Sequence, residues 1–235
     1  MKENLEKYKK DIQNMSAKEI IQWAFDSFGE KNVILASSLS VEDQVLTDMV
    51  CELAESPRVL TLDTGRLFQE SYDVIQMSMD KYKISYEISF PEAKEVLDLV
   101  TEKGPNLFYN SVMDRKECCY VRKVRPLKKS LEKASLWITG IRKDQSVTRE
   151  NLSHVEWDNH FGLYKINPIL DWSEKDVWKY IKKNKVPYSS LQDKGFLSIG
   201  CAPCTRAVEK GQDIRAGRWW WEAPESKECG LHVSA

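Results

Sequence analysis

No stretch of these 235 residues approaches the run of about 18 apolar residues that a membrane-spanning helix needs. Strong charge of either sign is missing too, because 35 Lys and Arg against 36 Asp and Glu leave a net charge of -1. Nothing global therefore draws the chain to nucleic acid or to an anionic membrane, and any anion-binding character must be local. There is no internal repeat and no low-complexity linker. The length and the 42% apolar content suit one sizeable core, or one domain with a working tail. The polar start MKENLEKYKK holds no apolar leader. With six cysteines in so long and so charged a chain, the expectation is a cytoplasmic protein with reduced thiols.

What is present is an alternation of short β-branched runs and longer helical patterns, the signature of parallel strands joined by crossover helices. The predicted strands are NVILAS (32–37), RVLTLD (58–63), ISYEIS (84–89) and LWITGI (136–141). Between them VEDQVLTDMVCEL, RLFQESYDVIQMSMDKY and EAKEVLDLV space their apolar residues as helices do. Ser16 with Glu19, and Ser173 with Asp176, mark helix starts. From about residue 205 the character changes to GQDIRAGRWWWEAPESKECGLH, read as an irregular or mobile extension. The expected fold is α/β with a doubly wound, mostly parallel sheet. In such a sheet, ligands sit beyond the carboxyl ends of the strands. The clusters SSLSVED (37–43), DTGR (63–66) and GIRKDQSVTR (140–149) fall there and could hold an anion, though each alone reads equally as a cap or a solvated loop.

The cysteines are grouped. Cys118 and Cys119 are adjacent, and GCAPCT supplies Cys201 and Cys204. Four thiolates suit a tetrahedral zinc ion or an iron-sulfur cluster. An adjacent pair fits one zinc ion poorly, while a cubane offers a separate iron to each thiol, so the spacing favours the cluster; buried structural cysteines are the third reading. Around the first pair, Arg115, Lys116, Arg122, Lys123, Arg125, Lys128 and Lys129 face one acid, Glu117. This run reads either as a charge-balancing neighbourhood for the thiolates or as a solvated helix face. Cys51 has the spacing of a core thiol. Cys229 lies in KECGLH between Lys227 and His232, which suits a nucleophilic thiolate or an incidental tail thiol.

Taken together, LDTGRLFQE, ECCYVRKVRPL, TGIRKDQSVTR, GCAPCTRAV, RAGRWWWE and KECGLH resemble the assimilatory adenylyl-sulfate (APS) reductases of the APS/PAPS reductase family, from about residue 30 to His232. The resemblance implies an adenine-nucleotide α-hydrolase-like fold with residues 1–205 as nucleotide-binding and iron-sulfur domain and 206–235 as a mobile catalytic tail. It implies a [4Fe-4S] cluster on Cys118, Cys119, Cys201 and Cys204, and Cys229 as the catalytic nucleophile. It further implies thioredoxin-dependent reduction of APS to sulfite and AMP through an S-sulfocysteine, in the cytoplasm, with PAPS or dual use as the alternative. By the same resemblance Lys123, Arg215, Arg218 and His232 screen the substrate anion, Gly140, Arg142 and Arg149 form a nucleotide loop, and Ser37, Ser38, Leu62 and Asp63 surround the adenosine. Ser40 stands where relatives commonly carry glycine. Self-association is left open.

Two rivals remain at this level. An ATP pyrophosphatase of the same fold calls for an SGGxDS loop, which SSLSVED does not supply. A four-cysteine zinc module on nucleic acid fits poorly with a net charge near zero.

Overall fold

The computed structural model describes residues 4–145, 152–223 and 227. Helices α1 (Leu5–Asp11) and α2 (Ala17–Phe28) come first. Strand β1 (Val33–Ser37), helix α3 (Val41–Leu53), strand β2 (Val59–Leu62), helix α4 (Gln69–Tyr82), strand β3 (Tyr86–Ser89) and helix α5 (Ala93–Lys103) then alternate. Helices α6 (Val112–Cys119) and α7 (Arg125–Leu131) precede strands β4 (Leu136–Ile138), β5 (Val155–Asp158) and β6 (Leu163–Ile166), and α8 (Glu174–Asn184) follows.

The strands form one sheet in the order β3-β2-β1-β4-β6-β5. β1 runs parallel to β2 and to β4, β4 runs parallel to β6, and β5 alone is shown antiparallel, against β6. Strand order reverses between β1 and β4, which is the switch point of a doubly wound sheet. The expected α/β fold is therefore observed. All four expected strands are present; β5 and β6, a pair closed through Gly162 at φ 73, are additional.

The chain folds as two compact units. The first takes the chain up to Thr61, Asp73–Glu87 and Leu131–Ser189. Its core is the branched aliphatic content of the central strands, including Val33, Leu35, Val59, Leu136, Ile138 and Ile166, packed on Ile20, Ile21 and Ala24 of α2, Val45 and Met49 of α3, and Val177 and Ile181 of α8. Strands covered on both faces bury successive residues, which is why β1 reads as a continuous apolar run. Each such side chain contributes about 1.5–3 kcal/mol on burial. Helices α2 and α8 both start with a complete capping box, Ser16 with Glu19 and Ser173 with Asp176.

The second unit takes Leu62–Tyr72, Ile88–Ser130 and the chain from Ser190 on. Its core is smaller and sulfur-rich: Leu99, Leu107, Phe108, Val121 and Trp219 pack with four cysteines. Among the described residues no helix is long and apolar enough to cross a membrane.

Candidate functional site

Within the second unit, α6 begins at Ser111, whose hydroxyl accepts from Asp114 N at 3.0 Å, and ends on the adjacent thiols Cys118 and Cys119. Successive helical residues point about 100° apart, so the two sulfurs of such a pair diverge. The helix does not stop there. Tyr120–Val124 forms a π-helical turn that runs directly into α7. Pro126 explains the change of pitch: it has no N–H for the Arg122 carbonyl, and its ring would collide with that carbonyl in a regular α-helix. Arg122 and Lys123 both lie on the wide turn.

The second thiol pair sits on a 3-10 turn, Ala202–Cys204, in which Cys204 N donates to Cys201 O at 2.9 Å. The Thr205 hydroxyl donates to Cys201 O at 3.0 Å. A Cβ at Gly200 would stand 2.5 Å from the Arg218 guanidinium, so a larger residue there would displace that side chain. All four cysteines are buried, none is in a disulfide, and all line one cavity together with Arg66, Arg115, Arg122, Lys123 and Trp219.

The four thiols are not equivalent. Burial is the largest influence on Cys201 and pushes it up, yet Lys123, the Thr64 hydroxyl and Arg218 together outweigh it and hold its pKa below the ordinary thiol value. The Thr64 hydroxyl lies 3.2 Å from Cys201 Sγ. Cys204 is pushed up to about 12 by burial, reinforced by Cys201 and Cys119. Burial also raises Cys118, against the opposing charge of Arg122.

Cations that a sequence reading could assign to solvent are inside. Arg115 is 0% and Arg122 8% exposed. Arg122 Nη1 donates to Thr64 O at 2.7 Å, while its Nε is buried without a hydrogen-bond partner among the described residues. The same holds for the indole Nε1 of Trp219. Buried donors rarely go unsatisfied, so both atoms call for an acceptor. Among the described residues no group of three His, Cys, Asp or Glu side chains is disposed to hold a metal ion. Thiols on a divergent pair and a CxxC turn, with cations and two unsatisfied donors around the cavity they line, suit a larger anionic group that takes one thiolate at each of several metal atoms.

In the first unit, the loops after β1 and β4 meet. Asp43, in the first turn of α3, accepts from Ser38 N and Ser38 Oγ, both at 2.6 Å. Burial pushes its pKa up to about 6, against the Ser38 hydrogen bonds. Gly140 packs so closely that a Cβ would stand 2.3 Å from Asp43 Oδ1. Arg142 is buried and gives Nε and Nη2 to Glu42 Oε1 at 3.1 and 3.0 Å. Leu39 turns through φ 64, a left-handed conformation that a leucine adopts only under constraint. Ser40 caps α3 by accepting from Asp43 N at 3.3 Å.

The sequence-derived residues thus fall into groups. Cys118, Cys119, Cys201, Cys204, Lys123 and Arg218 come together in the second unit, and Ser38, Gly140 and Arg142 in the first. Ser37 is buried at the end of β1, its hydroxyl accepting from Leu39 N at 3.1 Å. Leu62 ends β2; Asp63 follows it and accepts from Gly65 N at 2.7 Å and Tyr72 OH at 3.0 Å. Arg215 donates to Lys227 O at 2.9 Å. Arg149, Cys229 and His232 lie outside the described residues. Thr64, although inside the noticed DTGR motif, had not been singled out, nor had Glu222 inside RAGRWWWE.

Residues 32–207 match the model of the phosphoadenosine phosphosulfate reductase domain. The chain belongs to this family. Curated relatives agree: adenosine 5'-phosphosulfate reductase from Allochromatium vinosum is 49% identical over 86% of this chain and 78% of its own length. The protein of the same name from Burkholderia cepacia is 45% identical over 88% and 83%. Among solved structures, phosphoadenylyl-sulfate reductase from Candida auris superposes with a TM-score of 0.74 at 25% identity, over 88% of this chain and 98% of that one. An FMN adenylyltransferase from Candida glabrata, at 15% identity over 96% of this chain and 83% of that one, shares the fold with a TM-score of 0.57. The family fold is thus the adenine-nucleotide α-hydrolase-like one expected.

Proposed function

We propose that this chain is a thioredoxin-dependent adenylyl-sulfate reductase of sulfate assimilation. The observation that carries the reading is the four-thiol cavity lined by Lys123 and Arg122, with the Arg218 charge near Cys201, on a chain whose relatives are named adenosine 5'-phosphosulfate reductase. Cys118, Cys119, Cys201 and Cys204 would hold a [4Fe-4S] cluster. Bound there, it would supply negative charge that orders Lys123 beside the substrate anion, an electrostatic rather than an electron-carrying duty.

In this reading residues 206–235 form the catalytic tail. The Cys229 thiolate attacks the sulfur of APS; the S–S bond forms as the S–O bond to the phosphate breaks, and AMP leaves with the electron pair. Lys123, Arg215, Arg218 and His232 neutralise the sulfate and phosphate oxygens, without which a thiolate could not approach. A thioredoxin thiolate then attacks the Cys229 sulfur and expels sulfite. Its second thiol resolves the mixed disulfide, so the dithiol provides both electrons and Cys229 returns as thiolate. Ser37, Ser38, Gly140, Arg142 and Arg149, with Leu62 and Asp63, serve the nucleotide.

Anaerobically purified protein given APS or PAPS with thioredoxin tests this by sulfite release. The expectation is iron and acid-labile sulfide in the protein, faster turnover of APS, and a sulfonated adduct that Cys229→Ser abolishes. Cys118→Ser loses iron; Cys51→Ser keeps it, since that half-buried thiol lies outside the four-thiol cavity and burial pushes it up to about 12. Faster turnover of PAPS overturns the substrate assignment, and an adduct on Cys229→Ser overturns the nucleophile.

A further inference from the structure

The tail segment beside the thiols is fastened to both cysteine pairs. On one side, Trp219 N donates to Cys204 O at 3.2 Å, Arg206 N donates to Gly217 O at 3.0 Å, and Thr205 and Arg218 form an antiparallel bridge. The CxxC turn and residues 217–219 are therefore stitched backbone to backbone. On the other side, Arg115 of α6, three residues before Cys118, reaches Glu222. Its Nε and Nη2 contact Oε1 and Oε2 at 2.9 and 2.7 Å, a two-pronged charge-assisted pair. The side chains are 0% and 3% exposed. The Arg115 guanidinium also lies 4.4 Å from the centre of the Trp219 ring, and Arg218 lies 4.6 Å from the same ring. Trp219 itself is held at φ 41, in the left-handed region, a strained conformation that persists only where surroundings impose it.

A buried ion pair is poor evidence for stability, because desolvation offsets most of its attraction, and an apolar pair would pack as well. Fixed geometry is what a two-pronged pair supplies and an apolar one does not. We propose that Arg115 and Glu222 are positioning residues that lock the middle of the catalytic tail to the thiol-bearing helix, so that Cys229, seven residues beyond Glu222, is delivered from a fixed point. The inference rests on the function proposed above for its catalytic consequence, and on the geometry alone for the lock.

The test uses the full chain, as isolated with iron and after iron removal. Trypsin cleavage after Lys227, read by mass spectrometry as release of residues 228–235, measures how tightly the segment is held. Glu222→Gln, which keeps the shape but not the charge, is expected to raise the cleavage rate about tenfold, the effect of one lost charge-assisted hydrogen bond. Arg115→Lys, which keeps charge and loses the two-pronged contact, is expected to fall between that variant and the parent, and serves if Glu222→Gln does not fold. With iron content unchanged, the reaction should lose kcat while KM for APS stays put, a split that general destabilisation does not produce. Parental cleavage in both variants overturns the lock; faster cleavage with parental kcat overturns its catalytic role. The cleavage comparison requires no nucleotide, so a parent chain that makes no sulfite refutes the functional reading while the lock is still decided.

Discussion

Replacing Thr64 by valine removes one hydroxyl from the thiol site and almost nothing else. Thr64 is 1% exposed, and valine has nearly its shape, so no cavity opens. The loss is the contact of its hydroxyl with Cys201 Sγ at 3.2 Å, together with the weaker bond that Arg66 N gives the same hydroxyl at 3.3 Å. Toward a thiolate the hydroxyl donates, and a hydrogen bond to a charged group contributes about 1.5–3 kcal/mol. About 2 kcal/mol corresponds to about a 30-fold change in an equilibrium. The surroundings of Cys201 favour its anion, so the loss falls on a thiol whose deprotonation they support. In anaerobic protein challenged with an iron chelator, the fading of visible absorbance should run about 30-fold faster in Thr64→Val than in the parent. Thr64→Ser, which keeps the hydroxyl, should follow the parent. Equal rates for the valine and serine variants would refute the assignment of the hydroxyl to thiolate stabilisation.

Two further outcomes concern the first unit. Glu42→Ala leaves the buried Arg142 guanidinium only Trp172 O and the exposed Asp144 at 3.9 Å, and should cost about 3 kcal/mol in urea unfolding; a loss near zero would show that the pair is not buried in solution. Burial pushes Asp43 up to about 6, above the ordinary carboxylate range. A raised pKa stabilises the fold at low pH and loses that contribution as pH rises through about 6, so the parent should lose about 1 kcal/mol between about pH 5 and 7.5 that Asp43→Asn does not. Unfolding midpoints of both proteins across that range decide it.

Local signals were easily legible in the sequence. The capping boxes at Ser16 and Ser173, the helix over 41–53 and the strand that became β1 each depend on a few neighbouring residues, and all appear where their patterns put them. Strands β5 and β6 were not legible: β5 is only partly buried beyond Val155, and polar Lys165 interrupts the apolar run of β6. The grouping of four thiols was readable from spacing, because adjacent cysteines and a CxxC turn are rare by accident. The fate of the basic run was not. Whether Arg115 faces water or the interior depends on Glu222, 107 residues away, and no local pattern announces so distant a partner.

The wide turn at Tyr120–Val124 has a consequence for how this stretch can vary. A surface loop absorbs one residue more or less as a change of reach. Here the same edit is an angular one: removing a residue between Cys119 and Pro126 would rotate the cysteines around the axis relative to α7, by somewhat less than the about 100° per residue of an α-helix because the turn is wide. The count of residues between the paired sulfurs and that proline therefore sets their compass bearing, and substitutions there should be tolerated far better than insertions or deletions.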